Sequence, residues 1–131
     1  MVKKGLLILI IGILAACGSS DNPRKTVEDY LGRIEERDAK SANDLLCNGS
    51  SVTPLDQNGF KDVHSVDFRN MKYIRLSDES GSSSIRVTGL VVMEQGNQHV
   101  EMTIKTTFLL IAQNDTWCVQ QTGLSPIWFD N

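Results

Sequence analysis

The chain has 131 residues, a formal net charge of −3, 40% hydrophobic and 22% charged side chains, and three cysteines. That length builds one small domain around a single core, and the composition is that of an ordinary globular protein. Without a Lys/Arg cluster the mildly acidic chain has no electrostatic footprint for nucleic acid or for an anionic membrane surface, so nucleic acid is not an expected partner.

Residues 1–17 read MVKKGLLILIIGILAAC. Lys3 and Lys4 precede a wholly apolar run over residues 6–14, and Ala15 and Ala16 bring small side chains up to Cys17. Such a run is too short for a ~30 Å hydrocarbon core, which takes roughly 20 residues of helix. It also lacks the polar face that a helix of a small domain carries. Basic start, short apolar centre and small closing residues form the pattern of a secretory signal, which sets residues 1–16 outside the fold.

Leu14-Ala15-Ala16-Cys17 resembles the lipobox of bacterial lipoproteins. The resemblance implies cleavage before Cys17, palmitate-type acyl chains carried as diacylglycerol on the Cys17 thiol, and a membrane as partner through that lipid. One chain binds only marginally at ~0.8 kcal/mol per buried methylene, whereas two anchor stably. The competing readings are ordinary secretion with cleavage after Ala16 and a buried N-terminal helix. Gly18, where Asp is absent, favours the outer membrane in a Gram-negative enterobacterium. Otherwise the cell membrane is the address, with the domain facing the periplasm or the exterior.

Removal of Lys3 and Lys4 takes the 13 basic residues to 11 against 16 acidic ones, a formal charge of −5. With Cys17 taken by lipid, Cys47 and Cys118 remain as an even pair in an oxidising compartment. A bond between them closes a loop of about 70 residues and is worth roughly 4 kcal/mol on the chain-entropy argument; two separate buried thiols are the competing reading. Neither has a second Cys or His at ligand spacing, so no metal and no cofactor is expected.

Residues 17–23 are the lipidated cysteine and a tether, whose polar residues 18–22 reach under about 20 Å at ~3.5 Å per residue and keep the domain of residues 24–131 near the membrane. Asn22 can cap a first helix with Pro23 at its first position, and Asp29 and Arg33 are spaced for an ion pair. Val27, Tyr30, Leu31 and Ile34 form one apolar stripe. Asp38 can cap a second helix with Ala39, Ala42, Leu45 and Leu46 on one face, Cys47 in its last turn and Asn48-Gly49 as its stop. Residues 50–62 have no clear period and read as a loop, with room for one helical turn near Phe60.

From Val66 the period becomes two. Residues 67–77 alternate with a slip that predicts a bulge near Asn70. A turn over residues 78–82 leads to a strand with Ile85, Val87, Val91 and Met93 on one face. Gln95-Gly96-Asn97 closes a hairpin, and Val100, Met102, Ile104, Phe108 and Leu110 share a face of the next strand. Asn114-Asp115 turns into a last strand over residues 116–123, and Ile127-Trp128-Phe129 end the chain with apolar bulk, a candidate contact for a partner protein.

Two helices followed by antiparallel hairpins give an α+β fold, the helices on one face of a curved sheet of about four strands. Thr26-Val27-Glu28-Asp29-Tyr30-Leu31, Arg37-Asp38-Ala39, Leu45-Leu46-Cys47 and Thr116-Trp117-Cys118-Val119 are similar, in element order over residues 24–123, to nuclear transport factor 2-like proteins. The resemblance implies a cone-like domain with an apolar pocket between helices and sheet, and a meeting of helix two with the last strand that supports the Cys47–Cys118 pair. A third helix of the family pattern is missing.

The sequence has no phosphate-binding glycine loop, no G-x-S-x-G, no H-E-x-x-H and no C-x-x-C. The candidate pocket residues are Tyr30, Ile34, Asp67 and Tyr73. Asp67 facing inward with a raised pKa could serve as a general base; exposed on its strand, it has no such role. His64 and His99 read as surface residues beside a loop and a hairpin end, and Tyr30 as core. Asn48-Gly49-Ser50 and Asn114-Asp115-Thr116 match the glycosylation acceptor pattern, which is chance in a bacterial lipoprotein. The expectation is a lipid-anchored envelope protein that binds a small apolar ligand or another envelope protein. The alternative is a small isomerase- or dehydratase-type enzyme using Asp67 or a histidine.

Overall fold

The computed structural model describes residues 22–123; the signal, Cys17, the tether up to residue 21 and the apolar residues 127–129 lie outside the described residues. The architecture is α+β: two N-terminal helices packed with an open four-stranded antiparallel sheet in the order β1-β2-β3-β4. Helix α1 is Pro23–Glu35, α2 is Ala39–Asn43, and a 3-10 turn covers Gln57–Phe60. The strands are β1 Val63–Glu79, β2 Ser82–Gln95, β3 Gln98–Gln113 and β4 Thr116–Thr122.

Helix α1 starts as the sequence dictates. Asn22 Oδ1 accepts from the Lys25 backbone N–H at 3.2 Å, and Pro23 occupies the first turn, where its missing N–H costs nothing. Pro23 is itself buried. Val27, Tyr30, Leu31 and Ile34 are all buried against the sheet. The expected Asp29–Arg33 pair is not made. Asp29 takes Lys25, one turn upstream, at 3.3 Å, and Arg33 reaches Glu36 at 3.3 Å.

The second helix is shorter than its sequence pattern. Asp38 caps it through the Ser41 N–H at 3.1 Å, but it closes at Asn43, and Cys47 is not in it. The physical reason is a competing partner for the backbone. Val119 donates its N–H to the Leu45 carbonyl at 2.9 Å and accepts from the Cys47 N–H at 2.9 Å, so residues 45–47 run as a strap along β4. The aperiodic loop that follows is tied down by side-chain amides. Asn43 exchanges two bonds with the Leu55 backbone, at 2.9 and 2.8 Å, and Gln57 accepts from Ala39 N and donates to Arg37 O, both at 2.9 Å. Such bonds satisfy a backbone that has no regular partner.

The sheet's inner face carries Ile85, Val87, Val91 and Met93 from β2 and Ile104, Phe108 and Leu110 from β3, all buried. Tyr30 meets Phe108 edge-on, with ring centroids 6.0 Å apart, which joins α1 to the centre of the sheet. Register between β1 and β2 slips between Arg69 and Lys72, where Asn70 has φ of 53°, the bulge that the phase of the sequence predicts. Gly89 makes that bulge fit: a Cβ there would lie 2.2 Å from Met71 Sδ and 3.0 Å from the Arg69 carbonyl oxygen.

Candidate functional site

Three regions hold the residues from which a site could be built: the space between α1 and the sheet, the outer face of the sheet at the β2–β3 hairpin, and the two sheet edges.

Among the described residues, the side chains between α1 and the centre of the sheet pack against one another. Tyr30 is 3% exposed and Ile34 1%, and both belong to the continuous hydrophobic core. Burial pushes the Tyr30 hydroxyl up to about 12. Tyr73 is half-buried at the margin, with the Arg24 guanidinium 4.9 Å from its ring centroid. Its pKa is raised, first by burial and then by the nearby Glu28 carboxylate.

Asp67 does not join them. It stands opposite Val92 on the outer face and receives a 2.7 Å bond from Arg69 Nε. The four candidate pocket residues therefore divide between two sides of the sheet: Tyr30, Ile34 and Tyr73 on the inner side, Asp67 on the outer.

The outer face instead gathers charge. The two-residue turn at Gly96 and Asn97 sets Glu94 opposite His99, and Glu101 follows His99 on the same face. The His99 ring is held between two carboxylates, Nδ1 at 2.5 Å from Glu94 and Nε2 at 2.8 Å from Glu101. Its pKa is raised, first by the hydrogen bond to Glu101 and then by that to Glu94. Glu101 also acts on Arg69, whose pKa is raised chiefly by its bond to Asp67. The result is a ladder of side chains, Asp67, Arg69, Glu101, His99 and Glu94, across three strands. Val92, 4% exposed although on this outer face, sits between Asp67 and Glu101. His64, at the start of β1, is exposed and apart from this ladder.

Open clefts border the fold. One of about 260 Å³ separates the start of α1 from the β3–β4 turn, between Lys25, Asp29, Asp115 and Trp117. Another of about 290 Å³ lies between Asn48, Gln113, Asn114 and Cys118, beside both glycosylation-type triplets. Neither is lined by Tyr30, Ile34, Asp67 or Tyr73. Among the described residues no group of three or more His, Cys, Asp or Glu side chains is placed to hold a metal ion.

The two edges of the sheet are treated differently. Along β4, residues 45–51 form a cover. Besides the pairing of Val119, Ser51 N donates to Gln120 O at 3.0 Å and Ser50 Oγ donates to Val119 O at 3.0 Å. Cys47 and Cys118 are joined by a disulfide, their Cα atoms 4.9 Å apart, which locks the cover on covalently. Along β1, Glu35 Oε2 accepts from the Phe68 N–H at 2.7 Å. Beyond Phe68, no described residue pairs with the outer edge of β1. Among the described residues the exposed large hydrophobic side chains, Ile74 at 52% and Leu76 at 45%, both lie on this open stretch.

Neither the His99 ladder nor the open edge stands out in the sequence. The first is legible in hindsight, because a two-residue hairpin turn after Gln95 fixes Glu94 opposite His99. The second follows only from strand order, which no local pattern encodes. A scan against protein-family models and a search of curated proteins return no match to this chain.

Proposed function

We propose that this is a lipid-anchored protein of the bacterial envelope, held by acyl chains on Cys17, whose small domain acts by binding another protein through its surface. The observation that carries the anchor is the Cys47–Cys118 disulfide. It suits an oxidising compartment, and it leaves Cys17, at the end of a lipobox-like stretch, as the odd cysteine. The resemblance to nuclear transport factor 2-like proteins supports a compact tethered module, and its apolar pocket is the weaker part. The side chains at the centre of that space, Tyr30 and Ile34, are packed into the core, which favours a surface contact over an internal ligand.

Fractionation of cells fed a labelled fatty acid tests the anchor. The label is expected in this protein in the membrane fraction, and Cys17→Ser is expected to abolish both label and membrane retention. An unlabelled protein recovered from the soluble envelope fraction would overturn the reading.

A further inference from the structure

We propose that the two clefts joined at Trp117 are one binding site for a neutral oligosaccharide, with two adjacent sugar rings lying along the β3–β4 turn. The inference stands on the clefts alone and requires neither the anchor nor a protein partner.

The two clefts share a wall. Thr116 and Trp117 line both, the cleft of about 290 Å³ that reaches Asn48 and the cleft of about 260 Å³ that reaches the start of α1. Trp117 is fixed in place. It packs against the core, pairs with Ala112 across the strands, and its carbonyl accepts from Thr26 Oγ1 at 3.5 Å. Its indole N–H has no partner among the described residues, so a half-buried aromatic wall keeps a free donor. The turn that precedes it is divided in the same way, with Asn114 bordering one cleft and Asp115 the other.

That turn is strained. Gln113 pairs with Thr116, so Asn114 and Asp115 are its two central residues, and both have positive φ, 54° and 64°. A two-residue turn of this kind prefers glycine at its second position. The other two hairpins put a glycine at their left-handed position, Gly81 at φ 83° and Gly96 at φ 59°. Among the described hairpins only β3–β4 keeps side chains at both, and neither side chain has a hydrogen-bond or ion-pair partner among the described residues. Left-handed strain that serves no contact within the fold points to a contact outside it.

The side chains decide the class of ligand. Gln113 bonds the Asn48 backbone, accepting its N–H at 3.1 Å and donating to its carbonyl at 3.4 Å, and the Asn48 side-chain amide has no partner among the described residues. Asp29 and Asp44 are neutralised by Lys25 and Lys40, each at 3.3 Å. Asp115 is then the one unpaired carboxylate among the described lining residues, so a strongly charged ligand gains little here. An apolar ligand would desolvate Asn48, Asn114 and Asp115 without bonding them. A sugar ring meets both demands. Its hydroxyls exchange hydrogen bonds with amides and a carboxylate, and its C–H face lies on the indole. Each cleft is smaller than the ~300–1,000 Å³ of a drug-sized pocket and takes one ring, so the joined pair takes two.

NMR spectra of the isotope-labelled full-length protein, in a detergent without a sugar headgroup, test the proposal against N,N′-diacetylchitobiose, cellobiose and maltose. At least one of them is expected to shift the Asn114 and Thr116 amides and the Trp117 indole N–H, saturating with a dissociation constant of about 1 mM or below. It is expected to bind about tenfold more tightly than its own monosaccharide. Asp115→Gly is expected to weaken binding about tenfold while the unfolding midpoint holds or rises, because glycine suits φ of 64°. A turn with a purely structural role would gain stability and keep its affinity, and that result would overturn the proposal. It would be overturned equally by no shift with any of the disaccharides, by shifts confined to residues away from both clefts, or by equal affinity for the monosaccharide.

Discussion

The Glu35 carboxylate accepts a 2.7 Å hydrogen bond from the backbone N–H of Phe68, which ties the last turn of α1 to the edge of β1. The bond does two things at once. It fixes the end of α1 at the sheet margin, and it ends the covered part of the β1 edge one residue before the open stretch. A part-buried N–H bonded to an ionised acceptor loses more than a neutral pair when that acceptor is removed. Glu35→Ala is expected to cost about 1–2 kcal/mol in urea unfolding. It should also speed hydrogen exchange at Phe68 without altering exchange at Val119, which lies under the opposite cover.

Gly89 is required by its neighbour and not by its own backbone angles. A Cβ there would stand 2.2 Å from Met71 Sδ, 3.0 Å from the Arg69 oxygen and 3.2 Å from Met71 Cα. The sulfur can swing away, but the two backbone atoms of the bulge cannot. Gly89→Ala is therefore expected to destabilise by about 1–3 kcal/mol. Adding Met71→Ala should relieve only the side-chain part of that loss, so the double-mutant cycle measured by chemical denaturation should be non-additive.

How much of this was legible in the sequence depended on whether a feature was local. The α1 stripe of Val27, Tyr30, Leu31 and Ile34, the Asp38 cap and the bulge at Asn70 each arise from a few consecutive residues, and the structure places them where the pattern does. The stop of α2 did not. Ala39, Ala42, Leu45 and Leu46 continue a helical period, yet Val119 on the β4 edge, far along the chain, offers the backbone of Leu45 and Cys47 better partners. Asp67 illustrates the same limit at the candidate site: alternation gives two faces, and only the pairing with Val92 says which one it is on.

The disulfide holds the strap of residues 45–51 on β4 and joins cysteines 71 positions apart. On the chain-entropy argument a loop of that size contributes about 4 kcal/mol. Reduction, or Cys47→Ser with Cys118→Ser, is expected to lower the unfolding free energy by that order. In the reduced protein, amide exchange at Cys47 and Val119 should rise first, ahead of exchange at the β2–β3 core residues Val87 and Phe108. An unchanged midpoint on reduction would show that the strap holds without the bond.

His99 gives the outer face a pH dependence of definite sign. Its folded pKa is raised above the ordinary 6.5 by Glu101 and Glu94. Its contribution is present in full below the unfolded value and is lost as pH rises through the folded one. His99→Gln is thus expected to be less stable than wild type near pH 6 and equal to it near pH 9. An NMR titration of the ring should give a midpoint above 6.5; a midpoint at or below that value would remove the clamp from the account.

The central claim is that the three cysteines divide into one lipid carrier and one disulfide, and the intact mass of the unreduced, membrane-extracted protein tests it most directly. The account predicts a chain beginning at Cys17, heavier than its sequence by a diacylglyceryl group or by that group and one further acyl chain, and two hydrogens lighter for the Cys47–Cys118 bond. A chain that keeps residues 1–16, or one that begins near Cys17 with a bare thiol, would contradict it.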